Sequence, residues 1–102
     1  MDKSKIAIFR KKEIRKIIYE NEWWFSVVDI CEALTDSRDA GAYWRKLKQR
    51  LKAEGSEVVT NCHGLKLEAR DGKKYKTDCA NTEGIFRLIQ SIPSPKAEPF
   101  KR

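Results

Sequence analysis

The central stretch of the chain reads SVVDICEALTDSRDAGAYWRKLKQRLK over residues 26–52, and it predicts two helices separated by a short polar break. Ser26 is a favourable cap for the first helix, with Asp29 three positions further on. Apolar residues then recur at i, i+3, i+4 and i+7 and predict one buried stripe, formed by Val27, Ile30, Cys31 and Leu34. The outer face is predicted to be acidic, with Asp29, Glu32 and Asp36, which makes this helix a poor surface for phosphates.

The second helix is predicted over about residues 38–52, with Gly55 as its stop, and it concentrates the positive charge. Residues 43–52 contain five basic residues and no acid. At about 100° per residue, one arc carries the apolar Tyr43, Trp44, Leu47 and Leu51, and the remainder carries the basic Arg45, Lys46, Lys48, Arg50 and Lys52. One face of this helix therefore packs, and the other is cationic.

Short β-strands are predicted on both sides of the two helices. Before them lie strands at residues 6–9, 14–19 and 23–25, the last two joined by a tight turn at 20–22. After them, residues 65–69 and 73–77 form a hairpin around the three-residue loop 70–72, in a register that places Leu67 beside Tyr75. Residues 61–64 are predicted as a polar loop.

A third helix follows the hairpin, with Asn81 as its cap. Its predicted buried stripe consists of Ile85, Leu88, Ile89 and Ile92, and Pro93 and Pro95 end it. The predicted fold class is therefore α+β: a small antiparallel sheet and a β-hairpin packed with about three helices, including a helix-turn-helix-like pair. Residues 1–92 are expected to form one domain, and residues 93–102 a proline-rich segment of a longer protein.

The composition favours a polyanionic partner. The 102 residues carry 22 Lys and Arg against 15 Asp and Glu, which gives a net charge of +7 and a pI near 9.5. The apolar runs are too short for a signal peptide or a membrane span, so a cytoplasmic protein is expected. Three cysteines without a Cys-x-x-Cys spacing are expected to be reduced thiols.

Two basic groups are candidates for contact with duplex DNA. In a helix-turn-helix the second helix enters the major groove, and a wing-like hairpin can touch phosphates or the minor groove. The predicted DNA-binding residues are Arg38, Arg45, Lys46, Lys48, Arg50, Lys52, Arg70, Lys73, Lys74 and Lys76. The alternative is that these residues are only the solvated face of an amphipathic helix and the soluble tip of a hairpin.

Other chemistries have weaker support. The aromatic residues could stack on single-stranded bases, but aromatic residues on a strand and on the packed side of a helix are usually core: Trp23, Trp24, Phe25, Tyr43 and Trp44. Cys62 and His63 lack the spacing of a zinc site, and His63 is the only histidine. No metal, no cofactor and no enzymatic activity is therefore expected.

Three blocks of sequence resemble the N-terminal domain of the BRO family: WFSVVDI at 24–30, YWRKLK at 43–48 and DGKKYKTD at 71–78. This family includes prophage antirepressors and baculovirus BRO proteins. The run IQSIPSPKAEPFKR at 89–102 is similar to a bacterial branch that also contains DNA-damage-inducible protein D.

The resemblance implies a DNA-binding module in phage transcription regulation, often fused to a variable C-terminal region, with the block at 43–48 as the binding element. A repressor-binding module is the alternative, using the aromatic and acidic surface around Trp23, Glu32 and Asp36. Single-stranded nucleic-acid binding is a third hypothesis. The oligomeric state stays open, with a homodimer as one option.

Overall fold

A computed structural model describes residues 4–9 and 12–92 of the chain. These residues form five strands and four helices, in agreement with the predicted α+β class. Their order and bounds are β1 Ser4–Phe9, β2 Lys12–Tyr19, β3 Glu22–Ser26, α1 Val27–Thr35, α2 Ala40–Ala53, α3 Glu57–Thr60, β4 His63–Glu68, β5 Lys74–Asn81 and α4 Thr82–Ser91.

All five strands belong to one antiparallel sheet with the order β1-β2-β3-β5-β4. The β2–β3 turn is tight because Glu20 and Asn21 both adopt positive φ, 51° and 65°. The sequence predicted a sheet and a separate hairpin, whereas β5 pairs with β3 and joins the two. Phe25 lies opposite Ala80 where the two strands pair. These residues are too far apart along the chain for a local sequence pattern to predict their pairing.

The hairpin register predicted from the sequence is confirmed. Leu67 lies opposite Tyr75, and Leu65 lies opposite Thr77. Gly72 adopts the left-handed conformation with φ 82°, and the Ala69 N–H donates to the Lys73 carbonyl at 2.8 Å. The three-residue loop therefore fixes which side chains of β4 and β5 share a face.

Helix α1 begins where the sequence predicted, but its outer face differs. The Ser26 hydroxyl accepts a hydrogen bond from the Asp29 N–H at 3.3 Å, and all four residues of the predicted stripe are buried. The assignment of Asp29 to an exposed acidic face was wrong, because Asp29 is buried against Arg15 of β2. A buried carboxylate needs such a partner, and the partner comes from a neighbouring strand.

The segment between α2 and the hairpin also differs from the prediction. Helix α2 starts at Ala40 with Asp39 as its cap and is followed by Gly55 at φ 72°, and the four-residue α3 comes next. The prediction of a loop was wrong for His63 and Gly64, because both pair with β5 and extend β4. Their strand structure comes from the partner strand rather than from their own β propensity.

Two hydrophobic clusters lie on the two faces of the sheet. The larger one packs the helices against the sheet and includes Val27, Leu34, Leu88 and Ala80. The smaller one consists of Trp24, Leu67 and Cys79, with Ile17 and Leu65 against it. Side chains alternate along a strand, so the successive residues Cys79 and Ala80 belong to different clusters.

Helix α4 closes the larger cluster as predicted. The Asn81 side chain caps it by accepting from the Gly84 N–H at 2.9 Å. Leu88, Ile89 and Ile92 are buried, and Ile85 packs partly buried against them. The helix ends at Ser91, and the prolines predicted to end it lie outside the described residues.

Candidate nucleic-acid interface

One side of α2 is anchored in the protein interior. Trp44, Leu47 and Leu51 are only 3–5% exposed, as their shared arc predicted. The indole Nε1 of Trp44 also donates to Oδ2 of Asp78 on β5 at 2.8 Å. The helix is thus held by apolar packing and by one directed hydrogen bond, and its opposite side stays open to solvent.

The five predicted cations of α2 have different surroundings. Lys48 Nζ contacts Asp78 Oδ2 at 2.9 Å, on the same oxygen that Trp44 uses. Arg50 donates to the Ser91 carbonyl at the end of α4 at 2.9 Å and lies 3.7 Å from a Glu54 oxygen. These two cations bond to the protein itself and help to hold α2 in place.

The other three cations of α2 are Arg45, Lys46 and Lys52. All three are exposed, and none forms an ion pair with another residue of the described part of the chain. At 100° per residue Arg45 and Lys52 lie only 20° apart on the helix, beside the Lys48 position. They are free to bind an external anion without breaking an internal contact.

Asp78 sets the electrostatics beside α2. Its side chain is 31% exposed, and this partial burial raises the pKa of the carboxyl. The hydrogen bonds from Trp44 and Lys48 act in the opposite direction and hold the pKa of Asp78 below its ordinary value. The charges of Lys48 and Lys76 lower it further. Asp78 is therefore an ionised carboxylate that cations surround.

The hairpin cations divide between the loop and a strand. Arg70 lies in the three-residue loop and Lys73 closes it, whereas Lys74 and Lys76 lie on β5, below the hairpin tip to which the sequence assigned all four. All four are exposed and make no ion pair with another described residue. The strand predicted over residues 73–77 already contains Lys74 and Lys76, so the four cations extend from the loop along β5.

Asp71 organises the loop itself. It accepts hydrogen bonds from the Lys73 N–H at 2.8 Å and from the Tyr75 hydroxyl. The bond from Tyr75 is the main cause that lowers the pKa of Asp71, and the same bond raises the pKa of Tyr75. The conformation that presents Arg70 and Lys73 is thus fixed by side chains of the hairpin.

Sequence reasoning missed one cation of this surface. Lys66 is exposed on β4 and lies directly opposite Lys76 in the β4–β5 register. The signal for it was already present, because pairing Leu67 with Tyr75 implies that Lys66 pairs with Lys76. Arg38, by contrast, is exposed in the four-residue connection between α1 and α2.

The aromatic residues are mostly part of the core. Trp24 and Trp44 are 5% and 3% exposed, and Phe25 and Tyr43 pack partly buried against the larger cluster. Trp23 is half-buried, and Lys16 Nζ lies 4.4 Å from the centre of its ring. The burial of these residues agrees with a role in the hydrophobic core rather than with a platform on which bases stack.

The three cysteines form no disulfide in the structure. Burial raises the pKa of Cys31 and of Cys79 to about 12, and that of Cys62 to about 11. Within residues 4–9 and 12–92, no group of His, Cys, Asp and Glu could hold a metal ion. No helix among these residues is long and apolar enough to span a bilayer.

The molecule is a small α+β domain that presents one helix with an exposed cationic side and a basic hairpin beside it. The chain belongs to the BRO family: the model of its N-terminal domain matches residues 13–102. This family domain is of the DNA-binding type that occurs in phage regulatory proteins. The chain has no significant match among curated proteins or among solved structures.

Proposed function

We propose that this chain is the DNA-binding module of an antirepressor-type regulatory protein of a phage or prophage, and that it acts in the cytoplasm as a binding domain without enzymatic activity. The exposed side of α2 contacts the backbone of duplex DNA. The observation that supports this most directly is the unpaired state of Arg45, Lys46 and Lys52 within the described chain.

The two sides of α2 support a binding role. A helix that positions phosphate-binding cations must itself be fixed, and Leu47 and Leu51 provide the packing that fixes it. The bond of Trp44 to Asp78 adds a directed constraint on rotation. The cations beside this anchor release counterions when they neutralise phosphates, so binding depends steeply on salt.

The test is fluorescence anisotropy of a labelled random-sequence duplex titrated with the chain at several salt concentrations, beside a single strand of matched length. The double variant Arg45→Gln with Lys52→Gln is expected to reduce the salt slope of binding by about two, because each contact accounts for about one unit. The matched control is Lys12→Gln with Lys16→Gln, which removes the same charge from β2 and leaves the slope unchanged.

Three results would overturn the proposal. One is the absence of duplex binding at low salt, and the second is an unchanged slope in the Arg45 and Lys52 variant. The third is stronger binding of the single strand than of the duplex with quenching of tryptophan fluorescence, which indicates base stacking. Circular dichroism of each variant shows that the fold is retained.

A second candidate is a module that binds a repressor protein. It is favoured by Phe86, which is 58% exposed on α4, and by Ile18, which is 39% exposed on β2. Under this function the chain captures a purified repressor, and Phe86→Ser weakens capture while duplex binding stays the same. Capture that Phe86→Ser leaves intact would argue against a role of Phe86 in binding the repressor.

A further inference from the structure

Lys66 and Lys76 form a like-charged pair at the centre of the hairpin. They are Cα partners in antiparallel strands, so both side chains leave the same face of the sheet. Both are exposed, and neither forms an ion pair with a carboxylate of the described chain. Like charges directly opposite each other destabilise a sheet, so this pair weakens the hairpin in the absence of an anion.

The side chain of Lys76 lies over Gly64. A Cβ at position 64 would come within 2.3 Å of Lys76 Cε and 3.0 Å of its Cγ. The backbone of Gly64 does not require a glycine, since the positive-φ glycines of the described chain are Gly55 and Gly72. What the glycine at position 64 provides is space, and the Lys76 stem occupies it.

This position of Lys76 joins the hairpin to α2. Gly64 pairs with Asp78, and Asp78 binds Lys48 of α2 at 2.9 Å. The charge of Lys76 acts on the same carboxylate. Lys66, Lys76 and Asp78 therefore lie on one face of the hairpin, and Lys48 of α2 contacts that face at Asp78.

We infer that Lys66 and Lys76 together bind one backbone phosphate of the duplex that α2 contacts. A phosphate between the two ammonium groups removes their mutual repulsion and receives charge-assisted hydrogen bonds from both. This inference rests on the proposed function and adds the place of a second contact: the strand face of the hairpin, below its tip. The contact is to backbone and is independent of base sequence.

The test compares Lys66→Gln, Lys76→Gln and the double variant in the duplex titration. Each single change is expected to weaken binding about fivefold and the double only about tenfold, because both lysines serve one phosphate. The salt slope of the double falls by about one. A fall of about two means two separate phosphates and overturns the shared site, as does an unchanged slope. Lys12→Gln is the matched control.

The variant Gly64→Ala tests the position of Lys76 without altering any charge. Its Cβ displaces the flexible end of Lys76, and duplex binding is expected to weaken about threefold. In a Lys76→Gln background the same alanine is expected to have no further effect. An equal loss in both backgrounds would show that Gly64 acts through something other than Lys76 and would overturn this step.

A stability measurement separates a binding role from a structural one. Lys66→Glu places opposite charges across the strands, so the Tm is expected to rise by about 2–4 °C while duplex binding weakens. A decrease in both the Tm and the duplex affinity would identify Lys66 as a structural residue. If the unaltered chain does not bind duplex DNA, the proposed function is wrong. If the unaltered chain binds duplex DNA and the Lys66 and Lys76 variants bind it as tightly as Lys12→Gln does, only the phosphate site is wrong.

Discussion

Helices α1 and α2 pack against each other and are both amphipathic, yet they use their charged residues in opposite ways. Asp29 of α1 is 9% exposed and bonded within the protein. Arg45 and Lys52 of α2 are exposed, and neither has an ion-pair partner among the residues described. The contrast shows that the sign of a charge on a helix does not reveal its role, whereas the presence of an internal partner does.

The internal partner of α1 is Arg15, which joins three elements. Its main-chain N and its Nε donate to Asp29 Oδ2 at 2.9 Å and 2.8 Å, and its Nη1 donates to the Glu68 carbonyl of β4 at 3.2 Å. The hydrogen bond with Asp29 is the main cause that raises the pKa of Arg15. Arg15 thus ties β2 to α1 and to β4, while Arg45, Lys46 and Lys52 of α2 have no ion-pair partner among the described residues and are left for external anions.

The largest effect is expected from breaking this internal pair. Asp29→Ala leaves Arg15 without its carboxylate in a half-buried position, and the free energy of unfolding should fall by about 3 kcal/mol. Urea denaturation measures it, with Glu32→Gln on the same helix expected to change stability by less than about 0.5 kcal/mol. Equal effects of the two variants would mean that the Asp29 bond adds little to stability.

An intermediate effect is expected from Asp78, which joins α2 to the sheet. Its pKa is lowered in the folded state, so its contribution to stability is present above the unfolded pKa, about 3.9, and is lost as the pH falls through the folded value. Asp78→Asn should therefore cost about 1 kcal/mol at pH 7, after allowance for its partial exposure, and less below about pH 4.

Urea denaturation of the unaltered chain and of Asp78→Asn between pH 2 and pH 7 checks this, with the two stability curves converging at low pH. The asparagine oxygen can still accept from Trp44, so the lost part is the ion pair with Lys48. A difference that stays constant across this range would contradict the role of the ionised carboxylate.

The smallest effect on stability is expected from the open side of α2. Arg45→Ala removes no internal ion pair of the described chain and replaces one good helix former by another, so stability should change by less than about 0.5 kcal/mol. Urea denaturation measures the stability of this variant, and the duplex titration measures its DNA binding in parallel. A large loss of stability would place Arg45 with Asp29 among the residues that maintain the fold.

Local features of the fold were predictable from the sequence. The Ser26 cap, the buried arc of α2 and the register of the hairpin all depend on residues within a few positions of each other. Helical and strand periodicity, capping and turn chemistry act over that range. The cationic residues of α2 were identified for the same reason, since they lie on the arc that the apolar residues leave free.

Contacts between distant parts of the chain were not predictable in this way. The sequence by itself determined which face of each helix is apolar, and where the hairpin turns. Only the tertiary structure decided that Arg15 meets Asp29, that Trp44 and Lys48 share Asp78 from 34 and 30 positions away along the chain, and that β5 joins β3. Such contacts depend on how separate elements pack, so they decide which charges are neutralised inside the protein and which remain for a partner.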